Sequence, residues 1–256
     1  MFWLGLLASA VVGWCFGVWC VALADGLRCR SEGYPSSEEA RVCPRYDHRS
    51  AWFAFPWAML VQPGNERWSR WGIALAGGAS WVYVWGLYWF QDGRLFAWIL
   101  NTLFCSWLLF LAVLDYRWRI LPVELMIGAG VVGMLLRVLL LGDSFMALLL
   151  GALSMGLFFG AQSWLSKGRW LGSGDPVMAA MIGAYLGWPF AAVSVYITYM
   201  AVLPLLLVQL IRFQAIRRVR WPFGPLLAIG GALTLSLGMP ISRFFLEALN
   251  TGALPR

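Results

Sequence analysis

The stretch LFAWILNTLFCSWLLFLAVLD, Leu95 to Asp115, runs twenty residues without a charge and then ends on a carboxylate. A helix of that length covers about 30 Å, the thickness of a bilayer's hydrocarbon core. Lipid offers no partner to a free backbone N–H or C=O, so such a run must be helical. Further apolar runs lie on both sides, at 2–23, 72–91, 120–141, 144–166, 176–188, 189–211 and 224–242. The chain of 256 residues is 61% hydrophobic and only 12% charged, too little polar surface for a soluble domain. The seventeen tryptophans, many near the ends of the runs, suit interfacial anchoring. The fold class is an all-α integral membrane protein, a polytopic bundle of about eight transmembrane helices.

The continuous run 176–211 is divided at Gly187-Trp188-Pro189, where one helix can stop and another begin. Charge supports that division. With the N-terminus outside, the segments 24–71, 115–119, 167–175 and 212–223 face inward and hold fifteen of the nineteen basic residues. This is the positive-inside pattern, and it sets a periplasmic N-terminus. Arg137, within the fourth run, is expected to reach for the outer interface. The net charge of +7 therefore reports topology and contact with anionic lipid, and nucleic acid is not needed to explain it. No Lys or Arg precedes the first run, so residues 1–23 read as a retained first helix. Residues 24–71 form a cytoplasmic loop whose AWFAFPWAMLV segment is too short to span and suits the interface. Residues 72–242 make the helical bundle, and 243–256 a periplasmic tail.

On this map Asp115 and Asp175 fall at the cytoplasmic ends of their runs, on one side of the membrane. A carboxylate at such a boundary is costly without a task or a partner. Two together can hydrolyse a peptide bond: the ionised one activates water and the protonated one protonates the carbonyl. Gly172 and Gly174, in Gly172-Ser-Gly-Asp175, allow unusual backbone dihedrals and the close approach of an extended substrate. Pro176 suits the first turn of the next helix, which would make Asp175 its N-cap. Taken singly, each aspartate reads better as a helix-end charge or cap; it is the pair on one side of the membrane that points to a site. Glu124, after Pro122, complements the start of the fourth helix and is a candidate supporting residue. Asp25, Asp92, Asp143 and Glu247 sit at boundaries, in outward turns or in the tail. A Ser–His–Asp triad is disfavoured by the single histidine, His48, and no HExxH is present. Cys29, Cys43, Asp47 and His48 contain no CxxC pair, so zinc is not expected.

The stretches Leu114-Asp-Tyr-Arg-Trp-Arg-Ile-Leu-Pro122, Gly172-Ser-Gly-Asp175 and Trp221-Pro-Phe-Gly-Pro225, in this order, resemble the type IV prepilin peptidases, membrane aspartyl proteases of the GxGD class. The resemblance covers about residues 108–240. It implies cleavage of the basic leader from prepilins or pseudopilins at the cytoplasmic membrane face. Asp115 and Asp175 would form the catalytic pair, with Gly172 and Gly174 shaping the substrate approach. The chain departs from the family at Pro122-Val123-Glu124, where Pro-Asp is usual, and at Val177, where the family carries lysine. Many members also methylate the new N-terminus with S-adenosylmethionine and carry two CxxC pairs in the first loop. The single Cys29 and Cys43 give that second activity no support, and proteolysis itself requires no cofactor. Two other readings stay open: a broader GxGD intramembrane protease or membrane methyltransferase, and a transporter or assembly factor using the aspartates as proton or cation sites.

Overall fold

A computed structural model describes residues 2–31, 67–90, 95–119, 121–168, 171–213 and 223–251. Cys43, Asp47, His48 and the AWFAFPWAMLV segment lie outside the described residues. Among the described residues every regular element is helical. In chain order these are α1 (Phe2–Ser31), α2 (Arg67–Phe90), α3 (Leu95–Trp118), α4 (Val123–Leu136), α5 (Phe145–Leu165), α6 (Asp175–Leu186), α7 (Phe190–Phe213) and α8 (Gly224–Thr251). Each expected run has its helix. The helices outlast the runs at several ends: α1 continues to Ser31, α2 opens at Arg67 and α8 continues to Thr251. Hydropathy registers only what suits lipid, whereas helical hydrogen bonding carries on into water.

Three segments are long and apolar enough to cross a membrane: Leu95–Arg117, Val123–Leu141 and Phe145–Leu165. The last turn of the second is a π-helix, Arg137–Leu141, closed by Gly142 at φ 74°. These three segments differ in surroundings. α3 is mostly buried, whereas α4 and α5 expose Leu125, Ile127, Val131, Leu150, Leu153 and Leu157. Apolar side chains displayed in that number suit a lipid-facing rim.

α6 is the hub. Its twelve residues cover about 18 Å, too little to cross a bilayer alone. It is sealed on all sides: Asp175, Met178, Ala179, Met181, Ile182, Gly183, Ala184, Tyr185 and Leu186 are all buried. Its closest neighbour is α5. A Cβ added at Gly183 would fall on the carbonyl oxygen of Gly151, and one added at Gly151 would fall on that of Gly183. Small residues let the two backbones touch, which is how helices associate where no hydrophobic drive exists between them. α1 and α2 meet in the same manner through Gly13, Gly17, Ala74 and Gly77.

The expected break between the sixth and seventh runs is present. Gly187 turns at φ 73°, and the Trp188 N–H donates to the carbonyl of Ala147 at 2.8 Å. The C-terminal end of α6 is tied to its neighbours by polar groups. The Tyr185 hydroxyl donates to Asn101 Oδ1 on α3 at 2.8 Å, and its ring stacks on Phe104 with centroids 3.8 Å apart. The Arg137 guanidinium lies 5.0 Å from the same ring, and its Nε donates to Asp143 Oδ2 at 2.7 Å. Arg137 thus folds onto α6 and a neighbouring carboxylate. That pairing satisfies a charge which otherwise would have to reach the interface.

Candidate active site

Asp115 lies in the last turn of α3 and Asp175 opens α6. Both are buried, at 7% and 5% exposure, which separates them from the exposed Glu124. After Asp115 the helix stops sharply. Arg119 adopts φ 53° and its N–H returns to the Asp115 carbonyl at 3.0 Å. The chain then turns through Leu121 and Pro122 into α4, whose Met126 N–H donates to the Pro122 carbonyl at 3.1 Å.

Each carboxylate accepts a hydrogen bond from a glycine amide. Gly172 N–H donates to Asp175 Oδ2 at 2.7 Å. Gly224 N–H, at the start of α8, donates to Asp115 Oδ2 at 2.8 Å. A charged acceptor makes such bonds short and strong, and it offsets part of the cost of burial. The carboxyl of Asp175 is pushed up from 3.8 to about 6. Burial is the main cause; the Gly172 amide opposes it and the charge of Asp115 adds to it. The two groups therefore feel one another, as a proton-sharing pair must.

The glycines serve differently from expectation. Among the described glycines positive φ occurs at Gly142, Gly168 and Gly187, and Gly174 has an ordinary φ of −82°. What Gly174 supplies is closeness: a Cβ there would sit 2.8 Å from the Cβ of Leu121. Gly172 contributes its amide. The Gly172–Asp175 turn is thereby pressed against the segment that follows Asp115, which joins two stretches far apart in the chain.

An aromatic group borders the site beside Gly224. Phe223 lies 5.8 Å from the ring of Phe159 and 6.5 Å from that of Tyr199, whose hydroxyl donates to Gln162 Oε1 at 2.7 Å. Sequence reasoning did not single out Leu121, Phe159 or Tyr199, and it saw in Gly224 only part of a familiar segment. The one cue was Gly224-Pro225, which marks a helix start.

Residues 102–208 match the model of the type IV leader peptidase family. The match spans 107 of the chain's 256 residues and shows what this segment is similar to. It contains Asp115, Pro122, Glu124, Gly172, Gly174 and Asp175, while Gly224 lies beyond it. No curated protein and no solved structure matches the chain. The matched segment thus carries both buried carboxylates, and the amide that holds Asp115 comes from outside it.

Proposed function

We propose that this protein is a membrane aspartyl endopeptidase that removes the basic leader from prepilin-like substrates at the cytoplasmic membrane face. The observation that carries the reading is the pair of buried carboxylates, brought by two helices within electrostatic reach and each tied to a glycine amide. An apolar substrate helix would lie in the bilayer with its basic leader at the inner surface, bringing the scissile bond to the depth of the pair. The ionised carboxylate takes a proton from water as the oxygen attacks the carbonyl carbon. The protonated carboxylate gives its proton to the carbonyl oxygen. The resulting gem-diol collapses with cleavage of the C–N bond. The amine receives the proton taken from water, and a diol hydroxyl returns its proton to the other carboxylate. Methyl transfer from S-adenosylmethionine is not part of the proposal, because the sequence 24–71 lacks the paired CxxC motifs.

The test is incubation of purified protein in detergent with a peptide carrying a basic leader and an apolar segment, with products read by mass. The wild type should cleave once, at the leader boundary. Asp115→Asn and Asp175→Asn should each lose at least about a thousandfold in rate while remaining folded. Full cleavage by both variants would end the dyad mechanism. Cuts deep in the apolar segment would favour the broader intramembrane protease.

A further inference from the structure

We infer that Gly224 is a positioning residue of this site: its N–H holds the Asp115 carboxylate, and only a residue without a side chain lets α8 begin close enough to do so. This inference deepens the peptidase reading and rests on it. Asp115 belongs to α3, and a helix end gives a carboxylate no fixed rotamer. The Gly224 N–H supplies the restraint through its 2.8 Å bond to Oδ2. It is among the first amides of α8, which have no partner within their own helix, so the bond spends no helical hydrogen bond. The approach leaves no room for a side chain. A Cβ on residue 224 would sit 2.7 Å from Asp115 Oδ2 and 2.9 Å from both its Cβ and its Cγ.

Those atoms are the reacting group and its stem. Relief by a small shift would move the carboxylate itself. The packing around the residue holds α8 in this seat: Phe223 lies against Phe159 and Tyr199, and Leu227, a turn further on, is fully buried. The arrangement mirrors the one at Asp175, where Gly172 supplies the amide. There the amide and the carboxylate are three residues apart, so the turn is local. At Asp115 they are 109 residues apart, and the bond exists only when α8 is docked on α3. The charges near Asp115 are Asp175 on α6 and Arg119 just beyond α3.

The experiment has a kinetic arm and a spectroscopic arm. In the kinetic arm, Gly224→Ala is compared with Gly238→Ala, whose added Cβ would meet the Phe190 ring at 2.8 Å on the same helix, away from the carboxylates. Gly224→Ala should lower kcat about a hundredfold at nearly unchanged KM, since a misplacement of about 1 Å is enough for such a loss. Gly238→Ala should lower Tm and leave kcat near the wild-type value. A Gly224→Ala kcat within threefold of the wild type, or parallel losses of kcat and Tm in both variants, would overturn the inference.

The spectroscopic arm needs no substrate. Labelling Phe carbonyl carbon and Gly nitrogen selects the three Phe–Gly amides of the chain, and the Gly224 signal is the one lost in Gly224→Ala. Asp115→Ala should move that amide proton upfield while leaving those of Gly17 and Gly160 in place. An unmoved Gly224 signal would refute the contact even if the wild type cleaves peptide. If the wild type cleaves nothing and the signal moves, the peptidase reading falls and the hold of Gly224 on Asp115 stands.

Discussion

Asp175 is one half of the proposed catalytic pair, and its proton has a consequence for stability. In the folded chain the carboxyl keeps its proton up to about pH 6; when unfolded it gives the proton up near 3.8. Folding therefore takes up a proton between these values, and stability falls as pH rises from about 4 to 6, remaining lower above that. Asp175→Asn removes the charge that is costly to bury, and its amide oxygen can still accept the Gly172 N–H. The variant should be more stable than the wild type above pH 6, by on the order of 2–3 kcal/mol, and equal to it below pH 4. Unfolding in detergent at pH 4 and pH 7.5 measures the difference; the same gain at both values would refute it. The residue proposed to carry the chemistry would thus oppose folding, which is how active sites commonly stand towards stability.

Among the elements, the contact of α5 with α6 decides where Asp175 stands. Gly151 and Gly183 let the two backbones touch, and Gly156 adds a third close position against Ala180. Gly183→Ala should cost about 1–3 kcal/mol, because neither backbone can yield without moving α6. It should also slow cleavage, since α6 begins with Asp175. Gly128→Ala is the matched comparison: its Cβ would meet nothing within 4 Å, so stability should change by no more than about 1 kcal/mol. Equal effects of the two substitutions would show that the tight contact does not hold the site. At its C-terminal end, Tyr185 links α6 to Asn101 on α3 and to Arg137. The helices bearing the two aspartates are therefore tied at both ends, with the carboxylates at one and a polar clamp at the other.

For the whole molecule, charge and helix order make one prediction about orientation. Asp115, Asp175 and the start of α8 meet at one end of the bundle, which also carries Arg117, Arg119 and Lys167. Positive-inside bias turns that end to the cytoplasm. In a variant without the native cysteines, a thiol at Asp92→Cys should react with an impermeant maleimide on intact cells, and one at Lys167→Cys only after lysis. The reverse pattern would turn the carboxylates outward and remove a cytoplasmic leader as substrate.

The sequence by itself determined the helices, the break at Gly187-Trp188-Pro189 and the two aspartates at matching boundaries, because lipid permits few backbone structures and makes every charge conspicuous. It also carried the resemblance that the matched family segment bears out. Its runs overshot the helices by a few residues at 120–122 and 187–188, and stopped short at Ser31, Arg67 and Thr251, where helices continue past apolar sequence. Only the tertiary structure decided which amides hold which carboxylates, that Gly174 serves closeness to Leu121, and that Gly151 meets Gly183. A backbone donor looks the same at every residue, and with 28 glycines in the chain, a close approach becomes visible only when the helices are packed.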